Sequence, residues 1–352
     1  MEEFKLKDLV KLTQLRDEKE MEKVREQTQF LQAEKKYPKE FNFPLTMQFE
    51  LTANCNLRCK HCYNASGIKN FDDAMTIDKW IGFSKYVVSN GGIFQCVISG
   101  GEPLLLGDDL FRIMDILHAD GTAFLLITNG FLLTKEIAKK LSKYRYMWLQ
   151  VSIDGYNAES HDSFRNIEGS WERAVKGAFE ISKNGIPLTI AHTTTPETLN
   201  DIDKMCDLAY ELGASTIIIG EVTPSGRSME NKNILLNYEQ KQIMLEKIQS
   251  NTERYSGRMT VNRSSSTKIQ LQKYQSTPNS GVIIRPNGDI RMDCMTPFII
   301  GNVLEEDFCE VWKKKGSNCW HDSRISEYIE GVDPIYGLNS SYKNYVDKDI
   351  KL

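Results

Sequence analysis

Between residues 45 and 222, short apolar runs alternate with stretches whose apolar residues recur three and four positions apart. The runs are Leu45–Leu51, Phe94–Ser99, Ala123–Thr128, Tyr146–Ile153, Leu188–Thr195 and Thr216–Val222. Short, nearly continuous apolar runs suit strands buried on both faces. The intervening stretches predict helices near Ile77–Ser89, Leu110–His118, Lys135–Leu141, Trp171–Lys183 and Leu199–Leu212. The first is closed by Asn90-Gly91-Gly92, where glycine can adopt the left-handed conformation of a C-cap. In the fourth, Trp171, Ala174, Val175, Ala178 and Phe179 make one stripe, expected to be buried. Six strands and five helices in alternation define an α/β fold: a parallel sheet with helices on its faces, curled by right-handed crossovers into a barrel-like wall.

The ends of the chain depart from this alternation. Residues 1 to about 40 contain no glycine and only Pro38, and are dense in Glu, Lys, Gln and Leu, which predicts one or two amphipathic helices. After the sixth run a helical stretch near Tyr238–Ile248 leads to Gly281–Cys294, a hairpin by its Asn287-Gly288 turn between apolar strands. The expected organisation is an N-terminal helical extension (1–42), a barrel (43–230), a helical bridge (231–275) and a small C-terminal α+β domain (276–352).

Composition narrows the function. The 352 residues are 40% hydrophobic and 26% charged, with a net charge of −4, the profile of a folded globular protein with no global positive field for nucleic acid or an anionic membrane. No apolar run approaches the roughly 20 residues of a membrane span, and Met1 to Leu15 alternates charges with leucines instead of forming a signal-peptide core. The expected location is therefore cytoplasmic. There thiols stay reduced, so eight cysteines point to metal or redox chemistry rather than a disulfide framework.

Three of those cysteines, Cys55, Cys59 and Cys62, fall within eight residues as C-x3-C-x2-C, directly after the first predicted strand. A closed zinc site wants a fourth ligand, and the nearest candidate, His61, lies between two of the three. Three thiolates suit a four-iron cluster that keeps one iron open, which catalysis needs and electron carriage does not. The spacing and position resemble the signature of the radical S-adenosylmethionine (SAM) enzymes. That resemblance implies a partial (β/α)6 barrel with its site at the C-terminal strand ends, a [4Fe-4S] cluster on Cys55, Cys59 and Cys62, and SAM bound at the open iron. An electron from the reduced cluster would then cleave SAM to a 5′-deoxyadenosyl radical that takes a hydrogen from the substrate. A reducing partner such as flavodoxin or ferredoxin is implied too.

Other motifs take meaning from the same resemblance. In Gly100-Gly101-Glu102-Pro103 two glycines let the backbone come close to a ligand, and a carboxylate can accept from an ammonium group. The family's GGE motif binds the SAM amino group. Asn129 after the third strand, Ser152 and Asp154 after the fourth, and Arg165 in the next loop match positions that meet the ribose or carboxylate of SAM in relatives. Asp154-Gly155 is equally an ordinary turn, and Arg165 an ordinary surface arginine. Glu221, Gly226 and Arg227 after the sixth strand, and His192 to Thr195 ending the fifth, stand where a substrate would enter.

The C-terminal hairpin followed by Gly301-Asn302-Val303 and Val311-Trp312 resembles the SPASM or twitch domain of peptide-modifying radical SAM enzymes. That resemblance makes Cys294, Cys309 and Cys319 candidate ligands of an auxiliary cluster, with Asp293, His321 or an exogenous group as the fourth. The match is incomplete, since residues 276–280 offer serines where the family has a cysteine. Reduced thiols of a degenerate domain fit the same residues. Cys96 and Cys206 read as small core residues. The implied function is modification of a ribosomally made peptide by crosslinking, thioether formation, epimerisation or cleavage. The alternatives are a small-molecule enzyme, such as an aminoglycoside-type dehydrogenase or one of cofactor biosynthesis, and a non-catalytic metal-binding or electron-transfer module.

Overall fold

The computed structural model describes residues 6–67, 73–264, 266–332 and 349–352, with side chains of the first helix from residue 18 onward. Helix α1 (Leu6–Ala33) precedes six strand–helix units. These are β1 (Thr46–Glu50) with α2 (Ile77–Ser89), β2 (Gln95–Ser99) with α3 (Asp108–Ala119), and β3 (Ala123–Thr128) with α4 (Lys135–Leu141). Next come β4 (Tyr146–Ser152) with α5 (Ala158–Arg165) and α6 (Ser170–Lys183), β5 (Leu188–Thr194) with α7 (Ile202–Glu211), and β6 (Thr216–Glu221) with α8 (Tyr238–Arg254). All six strands pair in parallel and in sequence order, as the alternation requires.

The strands are buried beneath the helices through one set of alternating residues. Met47, Phe49, Cys96, Ile98, Phe124, Leu126, Leu149 and Val151 are all at most 1% exposed. Phe49 packs on Trp80 of α2 at 5.1 Å, and the Trp80 indole donates to the Leu51 carbonyl at 3.1 Å, so α2 fixes the exact end of β1 from which the cysteine loop departs. On α6 the buried stripe is Ala174, Gly177, Ala178 and Ile181. Phe179, expected inside, is 49% exposed. Small residues win this face because the helix lies close to the β3 turn: a Cβ on Gly177 would stand 2.5 Å from Leu133 Cβ.

The last third continues the same sheet. The stretch expected as a helical bridge holds α8 and α9 (Thr267–Ser276), but β7 (Thr260–Arg263) lies between them and pairs in parallel with β6. Strand β8 (Gly281–Ile284) then pairs in parallel with the opposite edge, at β1. Strands β9 (Asp289–Arg291), β10 (Phe298–Asn302) and β11 (Ile350–Lys351) extend it to eleven strands, with α10 (Phe308–Lys314) and α11 (Ser323–Glu330) alongside. The predicted hairpin is β8–β9, antiparallel, with Gly288 at φ +90° in the turn. Helix α1 lies against α9, tied by Lys273 to Glu20 at 2.7 Å and by Arg25 to Ser276 at 3.4 Å. Among the described residues no helix is long and apolar enough to cross a membrane.

Candidate active site

The loop after β1 carries Cys55, Cys59 and Cys62, and three neighbouring loops hold its backbone. The first is the β2 turn: Gly101 N donates to the Thr52 carbonyl at 2.6 Å and Glu102 N to that of Asn54 at 2.9 Å. A Cβ on Gly100 or Gly101 would meet Thr52 O at 2.6 Å or Asn54 O at 2.0 Å. The two glycines therefore admit the cysteine loop itself, where the sequence suggested only close approach of a ligand. The second support is the end of α5, whose Phe164 and Arg165 carbonyls accept from Lys60 N at 3.0 Å and Arg58 N at 3.3 Å. The third follows β6: Arg227 donates to the carbonyls of Cys62 (N, 3.0 Å), Cys59 (Nε, 2.8 Å) and Ser66 (Nη1, 2.8 Å).

These supports enclose a cavity of about 140 Å³ lined by all three cysteines, Gly100, Gly101, Asn129, Ser152, Arg165 and Arg227. Eight of the ten residues expected to hold the main cluster or SAM thus line one space, Gly100 and Gly101 among them as backbone walls. Glu102 and Asp154 are fully buried and stand behind it. Glu102 accepts from Leu104 N at 3.1 Å, the Thr128 hydroxyl at 2.7 Å and Asn129 N at 2.8 Å, so its carboxylate ties β2 to β3. Burial pushes its pKa up to about 7 against those three donors. Asp154 accepts from Arg165 at 2.6 and 2.7 Å and from Thr193 N at 2.7 Å. Burial raises the Asp154 carboxyl, but Arg165 and then His61 outweigh it and hold it well below the usual range. In this geometry Asp154 positions Arg165, while Arg165 faces the cavity.

The donor set fits an iron–sulfur cluster. Asn129 Nδ2 lies 3.8 Å and Leu57 N 3.4 Å from Cys55 Sγ, and Arg165 Nη1 lies 3.7 Å from Cys59 Sγ. Such N–H groups directed at sulfur stabilise ligating thiolates. Burial pushes the Cys55 thiol up to about 11 and raises Cys59 as well, so iron binding would displace their protons. No three Cys, His, Asp or Glu side chains among the described residues converge tightly enough for a single metal ion. A cube that presents a separate iron to each thiolate asks for a wider spread. Buried Asn56 Nδ2, His61 Nδ1 and Asn64 Oδ1, all on the loop, have no protein partner among the described residues, leaving polar atoms for a bound group.

Arg227, expected at the substrate mouth, instead grips the cysteine loop, and His61, weighed only as a zinc ligand, lines the cavity and stacks on Phe164 at 4.4 Å. The signal for Arg227 was its position just after a strand end, but its contacts with a loop 160 residues earlier could not be read locally. Glu221, expected at the mouth, forms an ion pair with Lys241. His192, within β5, is buried at 2% exposure.

The C-terminal cysteines are not brought together. Cys309 Sγ donates to Asn90 Oδ1 at 3.4 Å, at the end of α2. Buried Cys319 accepts from Asn279 Nδ2 at 3.3 Å, just before β8. Cys294 is half-buried beside Asp293 and Arg291, and desolvation pushes its thiol far up. Of the suggested fourth ligands, Asp293 is engaged by the Tyr274 hydroxyl at 2.9 Å and His321 is exposed elsewhere. Cys294, Cys309 and Cys319, expected as candidate auxiliary ligands, thus have three different sets of neighbours in the structure.

Comparison with known proteins agrees with the barrel and its cysteine loop. Residues 49–209 match the model of the radical SAM superfamily. An AdoMet-dependent heme synthase of Methanosarcina barkeri is 39% identical over 193 residues, covering 55% of each chain. The antilisterial bacteriocin subtilosin biosynthesis protein AlbA of Bacillus subtilis is 26% identical over 277 residues, 76% of this chain and 59% of the relative. The chain thus spans between half and two thirds of the length of these curated relatives. In fold it is similar to Streptococcus suis SuiB bound to S-adenosylmethionine, with a TM-score of 0.66 at 16% identity over 85% of this chain and 77% of that one.

Proposed function

We propose that this protein is a radical SAM enzyme acting on a peptide. The observation that carries the chemistry is the single cavity shared by Cys55, Cys59, Cys62, the Gly100-Gly101 wall, Ser152 and Arg165. When bound, a [4Fe-4S] cluster on the three cysteines would supply the electron that cleaves SAM to a 5′-deoxyadenosyl radical. The protein's part is positional. The Arg165 guanidinium, fixed by Asp154, offers a cation to the SAM carboxylate; the Ser152 hydroxyl and the Asn129 amide offer polar partners to its ribose. Arg227 and the Gly226 turn hold the loop so that the three sulfurs keep their places.

The peptide substrate is supported by the AlbA match and by the PqqA peptide cyclase of Rhizobium meliloti, 25% identical over 82% of this chain. A small-molecule reading is favoured by the higher identity to the heme synthase. Flavodoxin or ferredoxin is the proposed electron donor. The test is anaerobic incubation of reconstituted protein with SAM, dithionite and short peptides encoded beside its gene. Release of 5′-deoxyadenosine with a mass change in one peptide is expected. Release of 5′-deoxyadenosine with no peptide altered, together with turnover of an iron-free or iron-bearing porphyrin, would replace the peptide reading by the small-molecule one.

A further inference from the structure

A second cavity, of about 470 Å³, lies away from the cysteines. Its floor includes Asn279, two residues before Gly281, which pairs with Thr46 at the start of β1. The cysteine loop leaves the other end of β1, so the two cavities lie at opposite ends of the sheet. Five residues of strand put about 16 Å between those ends, before the loops are added.

This groove is built from polar groups. Thr28 and Asn279, 8% and 7% exposed, are polar residues at its base. Asn279 is immobilised: its Nδ2 donates to Gly316 O and to Cys319 Sγ, and its Oδ1 accepts from the Trp320 indole at 3.3 Å. A floor bonded in this way keeps its shape without a ligand. On the walls, Gln29 of α1 and Asn318 each present a donor and an acceptor side by side, the pattern that matches a peptide group. Among the lining residues Arg25 and Lys39 outnumber the one acid, Glu40, leaving an excess of positive charge. The volume is that of a small-ligand or short-peptide pocket.

We propose that this groove binds an extended, acidic segment of the peptide substrate, remote from the residue that reacts. The inference rests on the peptide reading above and adds a geometric consequence. At about 3.4 Å per residue, at least about five residues of extended chain must separate the bound segment from the modified residue. The groove would thus select the substrate by a segment that takes no part in the chemistry.

A displayed library of random twelve-residue peptides, panned on the full-length reconstituted protein, tests this. Selected peptides are then labelled with fluorescein and titrated by anisotropy against wild type and the Arg25→Glu, Lys39→Glu double variant. The expected result is enrichment of Asp and Glu, at least tenfold weaker binding to the double variant, and recovery when the peptide's acids are changed to Lys. Release of 5′-deoxyadenosine without peptide should be unchanged in the double variant, which shows that it folds. Equal binding of the selected peptides to both proteins would overturn the groove and leave the peptide reading standing. Failure to select any peptide would overturn the groove as a peptide site, while the peptide reading is judged by the mass change, which does not involve Arg25 or Lys39.

Discussion

Three cysteines stand within eight residues after β1, and three more are spread between residues 294 and 319. The first three line one cavity, on a loop whose backbone is gripped by the β2 turn, the end of α5 and the β6 loop. Of the other three, Cys309 bonds to the end of α2, Cys319 to Asn279, and Cys294 lies beside Asp293 and Arg291. Spacing on one loop is a local property, so the sequence can display it. Assembly of distant residues depends on where the elements carrying them pack, and the hairpin and α10 direct these thiols to different neighbours.

The largest expected effect tests that contrast directly. Cys55→Ala, Cys59→Ala or Cys62→Ala should each lower 5′-deoxyadenosine release by at least about 100-fold and cut reconstituted iron from about four per chain to near none. Cys294→Ala, Cys309→Ala and Cys319→Ala should leave iron at about four. Wild-type iron near eight per chain would break the comparison, because it would mean that the second set gathers after all.

Next in size is the buried pair behind the cavity. Asp154→Asn leaves the Arg165 charge buried without its partner, and should cost about 3–5 kcal/mol in urea unfolding at pH 7. The sign with pH follows from the depressed Asp154 carboxyl: its contribution is present above the ordinary carboxylate range and is lost as pH falls through the lower folded value. The variant should therefore lose less stability than wild type on acidification. An Asp154→Asn protein as stable as wild type would show that Arg165 has another counter-charge.

Gly101→Ala comes third. Its Cβ would meet Asn54 O at 2.0 Å, so the cysteine loop must move, at about 1–3 kcal/mol and with reduced iron retention on gel filtration. Normal iron retention in this variant would separate the glycine turn from the cysteine loop. Asn279→Ala should cost about 1–3 kcal/mol through the groups it leaves unpaired around Cys319, whereas Cys309→Ala, on α10 at a partly exposed position, should stay within about 0.5 kcal/mol.

The smallest effect is a slope. Glu102, raised to about 7, contributes stability that is fully present below the ordinary glutamate value near 4.5 and is lost as pH rises to about 7. Glu102→Gln should flatten the pH dependence of the melting temperature across that window. An unchanged slope would mean that the donors from Leu104, Thr128 and Asn129 already keep the carboxylate charged.

The core strands were legible because continuous Val, Ile and Leu runs have few other uses, and each is found within about a residue of its expected ends. Helix α5 was not. Its sequence, Ala158 to Arg165, has no apolar period, and it is held by the Asn157 cap on Ser160 N at 3.0 Å and by Asp162, which accepts from Gly169 and Trp171 N at 2.7 Å. Strand β7, with Val261 as its one buried residue, was missed for the same reason: it exists because β6 offers an edge.

What the sequence by itself determined was the α/β alternation, the three-cysteine loop and the residues that follow each strand. Parallel strands carry these signals locally, through burial and spacing. Tertiary structure alone decided that Asp154 supports Arg165 from behind, that the glycines at 100 and 101 receive a loop backbone, that Arg227 holds that loop, and that the C-terminal thiols stay apart. Each depends on the packing of segments tens to hundreds of residues apart, where hydrogen-bond geometry and steric fit have no counterpart in local sequence pattern.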